Sequence, residues 1–181
     1  PRFGDYSAPT ESCSAAVTLL DGIKEIVSDN TEVLYAKGCD ILDFETMPIP
    51  AEWLKDQEGH AGLKAEYFNG HDFEGEPVLV RNDAQINFNW IYTKPAEGVT
   101  ADRFAVRWTG VLEPTQTFKG AIGLSSMDSM RLFINDELIV DGWKEKDATQ
   151  MKPFLFEVGK TYAIQIEFIN DQRGVTVSYT H

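Results

Sequence analysis

The stretch from Met130 to Val140, MRLFINDELIV, has the pattern of a β-hairpin. Two apolar runs flank Asn135-Asp136, and residues of these two types are favoured where the chain makes a tight turn. Gly159-Lys160 lies in the same way between the runs 154–158 and 161–168. The sequence therefore predicts two hairpins within an antiparallel β unit.

Apolar residues also alternate with a period of two, which is typical of strands that are buried on one face. Phe104, Val106 and Trp108 share one face of such a strand, so Trp108 is predicted to be a core residue. The same alternation recurs in 162–168 and 175–179. Many short strands joined by regular turns predict a sandwich or a barrel.

The N-terminal part has a different pattern. Thr18 and Asp21 mark the start of an amphipathic helix that runs to about Ser28, and Glu32 to Ala36 is predicted to be a buried strand. One helix and one strand cannot complete a core, so residues 1–45 are interpreted as an α/β fragment. The proline-containing and polar stretch 46–60 is predicted to be a linker, and the β unit fills 61–181.

Composition excludes several classes of partner. The 181 residues include 16 Lys and Arg against 29 Asp and Glu, a formal net charge of −13, which repels nucleic acid and anionic membranes. The sequence lacks the run of about 18 apolar residues that a membrane span needs. Cys13 and Cys39 are predicted to be free thiols, although their spacing alone does not fix whether they pair. Three scattered histidines lack the spacing of zinc sites, and we expect no metal or cofactor.

Four segments carry a resemblance to a known family. In chain order they are 62–69 (GLKAEYFN), 104–110 (FAVRWTG), 128–136 (DSMRLFIND) and 138–143 (LIVDGW). Together they resemble the protective-antigen-type domain, a fourteen-kilodalton β-sandwich. The resemblance implies a mainly β fold, an antiparallel β-sandwich after the short N-terminal α/β fragment. It also implies the role usual for such domains in toxins, adhesins and glycosidases, which concerns glycans.

A second resemblance concerns the N-terminal part. The segments 4–7 (GDYS), 17–24 (VTLLDGIK) and 33–40 (VLYAKGCD) look like the second, α/β-sandwich domain of family-three β-glucosidases. Some of those enzymes carry the β-sandwich as an insertion at such a point. By this resemblance the chain would be a piece of a retaining β-glucosidase-like hydrolase exported to the periplasm or out of the cell. Its partners would be the remaining domains of that enzyme and, through them, β-linked oligosaccharides or aryl glycosides.

No catalytic residue is assigned. A retaining glycosidase needs two carboxylates that flank the glycosidic bond. In the family that this chain resembles, the nucleophile lies on a barrel domain that the chain lacks, and no residue here matches the context of the acid/base glutamate. We therefore expect the chain by itself to be non-catalytic.

The loop Ser125 to Asp128 is the first candidate site. Lectins of the resembling family hold a calcium ion there with two adjacent aspartates, but Met127 stands at the first position. Calcium prefers six to eight oxygen ligands, and a thioether is soft and neutral. We expect no calcium, and we expect Asp128 to hydrogen-bond to backbone instead.

Aromatic residues and one long loop supply the other candidates. Trp143 is predicted to pack, whereas Trp90 and Tyr92 are left open between packing and stacking on a sugar. The polar segment 144–152 is predicted to be the longest loop of the sandwich and to reach a glycan, with candidate contacts at Lys144, Asp147 and Met151. A solvated hairpin end remains the alternative for this loop.

Three functions remain open from the sequence. The chain is predicted to be an accessory domain that shapes access to a glycosidase active site. The alternatives are an autonomous glycan-binding module and a structural spacer.

Overall fold

The computed structural model describes residues 19–28, 30–34, 46–90, 93–143, 148–171 and 176–180. The chain divides into two compact units, Pro1–Asp43 and Phe44–His181. Helix α1, Leu19–Ile26, lies in the first unit with Asp21 in its first turn, as its apolar spacing predicts. No helix among the described residues is long and apolar enough to cross a membrane.

The strand predicted at Glu32 to Ala36 is not found where the chain is described. Residues 31–34 belong to no regular element, and 35 and 36 lie outside the described residues. A strand needs a hydrogen-bonded neighbour, and no described residue pairs with 31–34.

The second unit is an antiparallel β-sandwich, which confirms the predicted fold class. A short 3₁₀ helix, Ala51–Trp53, precedes the strands. The strands are β1 Leu54–Lys55, β2 Leu63–Asn69, β3 Leu79–Asp83, β4 Asn87–Asn89, β5 Phe104–Leu112, β6 Phe118–Ser126, β7 Ser129–Ile134, β8 Glu137–Asp141, β9 Ala148–Phe156, β10 Tyr162–Asn170 and β11 Thr176–Thr180. One sheet has the order β3-β2-β5-β10-β7-β8 with β1 paired to β5, and the other has the order β4-β11-β6-β9.

The two predicted hairpins have different outcomes. Asn135 and Asp136 have φ angles of 50° and 65° and join β7 to β8, so the first hairpin is confirmed. The turn at Gly159, with φ 81°, joins β9 to β10, but these strands lie in different sheets. The second hairpin prediction is wrong because a tight turn can also pass the chain from one sheet to the other.

Apolar side chains of both sheets form one core. Phe104, Val106 and Trp108 of β5 are fully buried, as their alternation predicts. The ring of Phe88 stacks on Trp90 at a centroid distance of 4.7 Å and on Trp108 at 6.1 Å, so the short strand β4 closes the core from the other sheet.

A polar network is embedded in this core around Asp83, the last residue of β3. The Asp83 Oδ2 atom accepts hydrogen bonds from the Tyr67 hydroxyl at 2.6 Å and from Trp108 Nε1 at 2.9 Å. Arg81 Nε donates to Asp83 Oδ1 at 2.6 Å, and Arg81 Nη2 donates to the Tyr67 hydroxyl oxygen at 2.7 Å. Burial, followed by the charge of Asp83, raises the pKa of Tyr67 above its usual range. The network joins β2, β3 and β5 through side chains as well as backbone.

The segment predicted as a linker, 46–60, packs into the sandwich instead. Ile49, Trp53 and Leu54 belong to the core, and β1 pairs with the end of β5. The Ile49 N–H donates to the carbonyl of Tyr179 at 2.9 Å. The prolines at 48 and 50 correctly indicated a break in regular structure, but such a break does not exclude burial of the apolar residues beside it.

Asp56 holds the end of this segment in place. Its Oδ1 atom accepts backbone N–H groups of Glu58 at 2.9 Å and His60 at 2.8 Å, and Asn82 Nδ2 donates to Oδ2 at 2.7 Å. The hydrogen bond from Asn82 is the main reason why the pKa of Asp56 lies well below its usual value. The hydrogen bond with Asp56 in turn raises the pKa of His60. Residues 56–60 are therefore an ordered turn.

Candidate functional site

One end of the sandwich carries the candidate residue Asp128, in the turn after β6. β6 ends at Ser126, β8 ends at Asp141, β9 begins at Ala148 and β10 ends at Asn170. We call this end, formed by residues 127–128, 142–143 and 170–171, the loop end. These residues lie at or just after the ends of β6, β8 and β10. Residues 144–147, between Trp143 and Ala148, lie outside the described residues.

Asp128 ties two turns of the loop end together. It is 1% exposed, and its Oδ2 atom accepts the backbone N–H of Asp171 at 2.8 Å. Its own N–H donates to the Ser126 hydroxyl at 3.0 Å. The prediction that Asp128 hydrogen-bonds to backbone is confirmed, and this carboxylate is turned into the protein.

Trp143 anchors the chain on the outer face of the larger sheet. Its ring lies 6.4 Å from that of Phe73, and the Arg131 guanidinium sits 4.2 Å from its centroid. Ser129 donates a hydrogen bond to the Trp143 carbonyl at 3.1 Å. The predicted packing role of Trp143 is confirmed.

Trp90 does not offer a surface for a sugar. It is 5% exposed, its face stacks on Phe88, and the edge of Phe104 approaches at a centroid distance of 5.2 Å. The stacking interpretation left open for Trp90 is wrong because its ring is enclosed by the core. Tyr92 lies outside the described residues.

The loop predicted at 144–152 is shorter than expected. Strand β9 begins at Ala148 and pairs with β6 from Ser126↔Ala148 to Ile122↔Lys152. The polar residues of β9 led to the loop prediction. They are polar because β9 is an edge strand with one face turned to solvent. Met151 accepts a hydrogen bond at Sδ from the Thr180 hydroxyl at 3.3 Å and lies against Gly123 of β6. Lys144 and Asp147 lie outside the described residues.

The carboxylates described at the loop end hold structure together. Asp141 pairs with Arg131 at 3.0 Å, and Asp171 lies 3.3 Å from His71 Nε2. Among the described residues no cluster of three or more His, Cys, Asp or Glu side chains could hold a metal ion. These carboxylates therefore help to position the turns in which they lie.

The family assignment rests on residues 59–181, which match the PA14 domain. The chain belongs to the PA14 domain family. The resemblance to the protective-antigen-type sandwich is thereby confirmed, over about the part of the chain that the sequence motifs indicated.

Curated relatives place this PA14 domain in two kinds of protein. The chain is 32% identical over 117 residues to anti-sigma-I factor RsgI3 of Acetivibrio thermocellus, a match covering 64% of the chain and 18% of the relative. It is 26% identical over 163 residues to β-glucosidase B of Emericella nidulans, covering 83% of the chain and 18% of the relative. The chain thus spans less than a fifth of the length of either relative.

A solved β-glucosidase contains the same fold. The structure from Kluyveromyces marxianus in complex with glucose superposes with a TM-score of 0.60 at 19% identity, covering 75% of this chain and 18% of that one. The PA14 domain described here is similar to those that β-glucosidases carry.

Calcium is expected to leave the stability of this PA14 domain unchanged. A ligand that binds the folded state raises the melting temperature, and a thioether beside one inward-turned carboxylate offers calcium too few oxygen ligands. The measurement is thermal unfolding of the chain in calcium, in chelator, and in magnesium at equal ionic strength as the control. A rise in melting temperature with calcium alone would contradict this expectation.

Proposed function

We propose that the chain is a non-catalytic accessory module of a larger, exported β-glucosidase-like hydrolase, in which the loop end limits access to the active site. One observation carries the proposal. The match to β-glucosidase B covers 83% of the chain, whereas the PA14 domain occupies residues 59–181, about two thirds of it. The similarity therefore includes residues before 59, so PA14 domain and preceding segment occur together in both proteins.

The anchoring of the loop end supports a steric role. Trp143 is held by Phe73 and Arg131, and on the other side of 144–147 the chain enters the β9–β6 ladder. The described residues on both sides of 144–147 are thus held in place. In this proposal 144–147 narrow the space beyond the first sugar, which favours short β-linked oligosaccharides and aryl glycosides.

An autonomous glycan-binding module is the second candidate. The similarity to RsgI3, which is named as an anti-sigma factor, supports only that such a domain also occurs outside hydrolases. The two candidates differ in a simple way. An accessory module changes the kinetics of the enzyme that carries it, whereas an autonomous module only binds glycan and leaves those kinetics unchanged.

Replacing 144–147 by two glycines in the full-length enzyme is expected to raise activity on long substrates relative to short ones. The change stops at 147 because β9 begins at Ala148, and removing paired residues would damage the sheet. Removing a steric contact changes the difference in activation free energy between two substrates by roughly 1–3 kcal/mol at most. The ratio of kcat/KM for cellotetraose to that for cellobiose should therefore rise several-fold.

A matched control lies at the opposite end of the sandwich. Glu157 and Lys160 form an ion pair of 2.6 Å in the turn after β9. Replacing both with glycine removes one acid and one base, and replacing 144–147 removes two of each, so both changes leave the net charge unaltered. The variant at Glu157 and Lys160 should keep the wild-type ratio. An unchanged ratio in the 144–147 variant, with the domain still folded, would refute the proposed narrowing.

A further inference from the structure

The outer face of the seven-stranded sheet is charged. The register aligns one residue from each of five neighbouring strands in a row of alternating sign, Glu66, Arg107, Glu167, Arg131 and Asp141. Within this row Arg131 and Asp141 lie 3.0 Å apart and Arg107 and Glu167 lie 3.6 Å apart. Oppositely charged side chains on this face therefore lie close to one another.

The outer face of the four-stranded sheet has the opposite character. Its register aligns Asn87, Ser178, Ser125 and Thr149 in one row across β4, β11, β6 and β9. We call these four residues the neutral ledge. A shallow pocket of about 380 Å³ lies over it, and the described residues that line this pocket are Asn87, Phe88, Asn89, Ser125, Val177 and Ser178. None of these lining residues carries a charge, although charged residues make up 25% of the chain.

The ledge offers both donors and acceptors. The hydroxyls of Ser125 and Thr149 lie 2.8 Å apart and share one hydrogen bond. A hydroxyl can donate once and accept twice, and an amide can do both, so this internal bond leaves capacity for a ligand. Asn87 and Asn89 place two amides on the same side of β4.

A less polar row runs beside the ledge, in which the Thr180 hydroxyl is engaged by Met151 Sδ. In the next row of the sheet, Thr180, Gly123 and Met151 face one another. A Cβ atom at Gly123 would lie 2.7 Å from Met151 Sδ and would collide with the Gln150 carbonyl, so the thioether occupies the space above the glycine. A row of polar side chains thus lies next to the Met151 thioether. Ligand sites often combine apolar surface with a few polar groups that fix the orientation of the ligand.

We propose that the neutral ledge binds a neutral glycan chain of several sugars. Hydroxyl groups of the glycan would bond to the ledge, and its apolar C–H surface would lie on Met151. Three strand spacings of about 4.8 Å give the ledge a length of roughly 14 Å, which exceeds one sugar ring. Anionic ligands are disfavoured because the lining is uncharged and the chain carries a net charge of −13.

A protein partner fits the ledge less well. The centre of a protein interface is usually apolar and aromatic, whereas the side chains in the ledge row are amides and hydroxyls. The ledge itself is inferred independently of the proposed accessory role. Only the choice of β-glucan probes rests on that role.

The test is an NMR titration of the full 181-residue chain with cellohexaose and, separately, laminarihexaose. We expect shifts in the side-chain amides of Asn87 and Asn89 and in the backbone amides of Ser125 and Ser178. The double variant Ser125→Ala with Ser178→Ala should weaken binding about tenfold or more, because it removes two hydrogen-bonding hydroxyls.

The matched control is Thr109→Ala with Gln165→Ala, two half-buried neutral residues on the outer face of the other sheet. This variant should bind as the wild type does. The proposal is overturned if neither hexasaccharide shifts the ledge amides, if shifts occur only around Asp128 and Asp171, or if both double variants bind equally. The kinetic test of residues 144–147 does not involve the ledge, so either proposal can fail alone.

Discussion

Replacing Asp83 with alanine is expected to destabilise the PA14 domain by about 3–5 kcal/mol. The carboxylate is 5% exposed and is the acceptor for Tyr67 and Trp108, both of which are buried. Without it, a buried hydroxyl and an indole N–H lose their partner, and Arg81 loses its counter-charge. The lost hydrogen bonds involve the central strands β2 and β5, so the free energy of unfolding of the whole sandwich should decrease.

Urea unfolding followed by tryptophan fluorescence measures this effect. All four tryptophans, at positions 53, 90, 108 and 143, belong to the second unit, so the signal reports on that domain. Asp83→Asn keeps an acceptor oxygen and should lose less stability than Asp83→Ala. The control is Asp141→Ala, whose carboxylate is 48% exposed beside Arg131 and should contribute at most about 1 kcal/mol. Equal midpoints for Asp83→Ala and Asp141→Ala would contradict the role assigned to the network.

The elements that could be predicted either have one buried face, which gives alternating apolar residues, or contain residue types that favour a turn. The β5 alternation at Phe104, Val106 and Trp108 marks the core because every second side chain is buried. Asn135 and Asp136 indicate the β7–β8 hairpin because their types tolerate positive φ. Asp128 was predictable for a similar reason, since aspartate in a turn commonly bonds to nearby backbone.

The elements that were missed depend on distant partners. The residues of β9 look like a loop because this edge strand carries polar side chains such as Thr149 and Lys152. Trp90 lies beside a three-residue strand, which is too short to show a period. The neutral ledge takes one residue from each of four strands, and only the register of the sheet brings them into a row. No local pattern in the sequence contains that information.

The segment 46–60 moves the start of the folded domain towards the N-terminus. A flexible linker would leave its apolar side chains exposed. Instead, Ile49 and Trp53 belong to the core and β1 pairs with β5 before the first long strand begins. Residues 46–60 are therefore part of the PA14 sandwich.

Replacing Trp53 with alanine tests this view and is expected to cost about 3–5 kcal/mol. The indole is 3% exposed and packs against the stacked rings of Phe118 and Phe156, at centroid distances of 6.2 and 5.9 Å. Its Nε1 atom donates to the Thr115 hydroxyl at 2.9 Å. Truncation would open a cavity beside this stacked aromatic pair and remove that hydrogen bond.

The neighbouring residue provides the control for Trp53→Ala. Glu52 is exposed in the same 3₁₀ helix, and Glu52→Ala should change stability by no more than about 0.5 kcal/mol. Three tryptophans remain in the Trp53 variant, so urea unfolding can be followed by the same fluorescence signal. If Trp53→Ala unfolds at the wild-type midpoint, residues 46–60 contribute nothing to the core and the linker interpretation is correct. A large shift for Trp53→Ala with none for Glu52→Ala would place the start of the folded domain before residue 53.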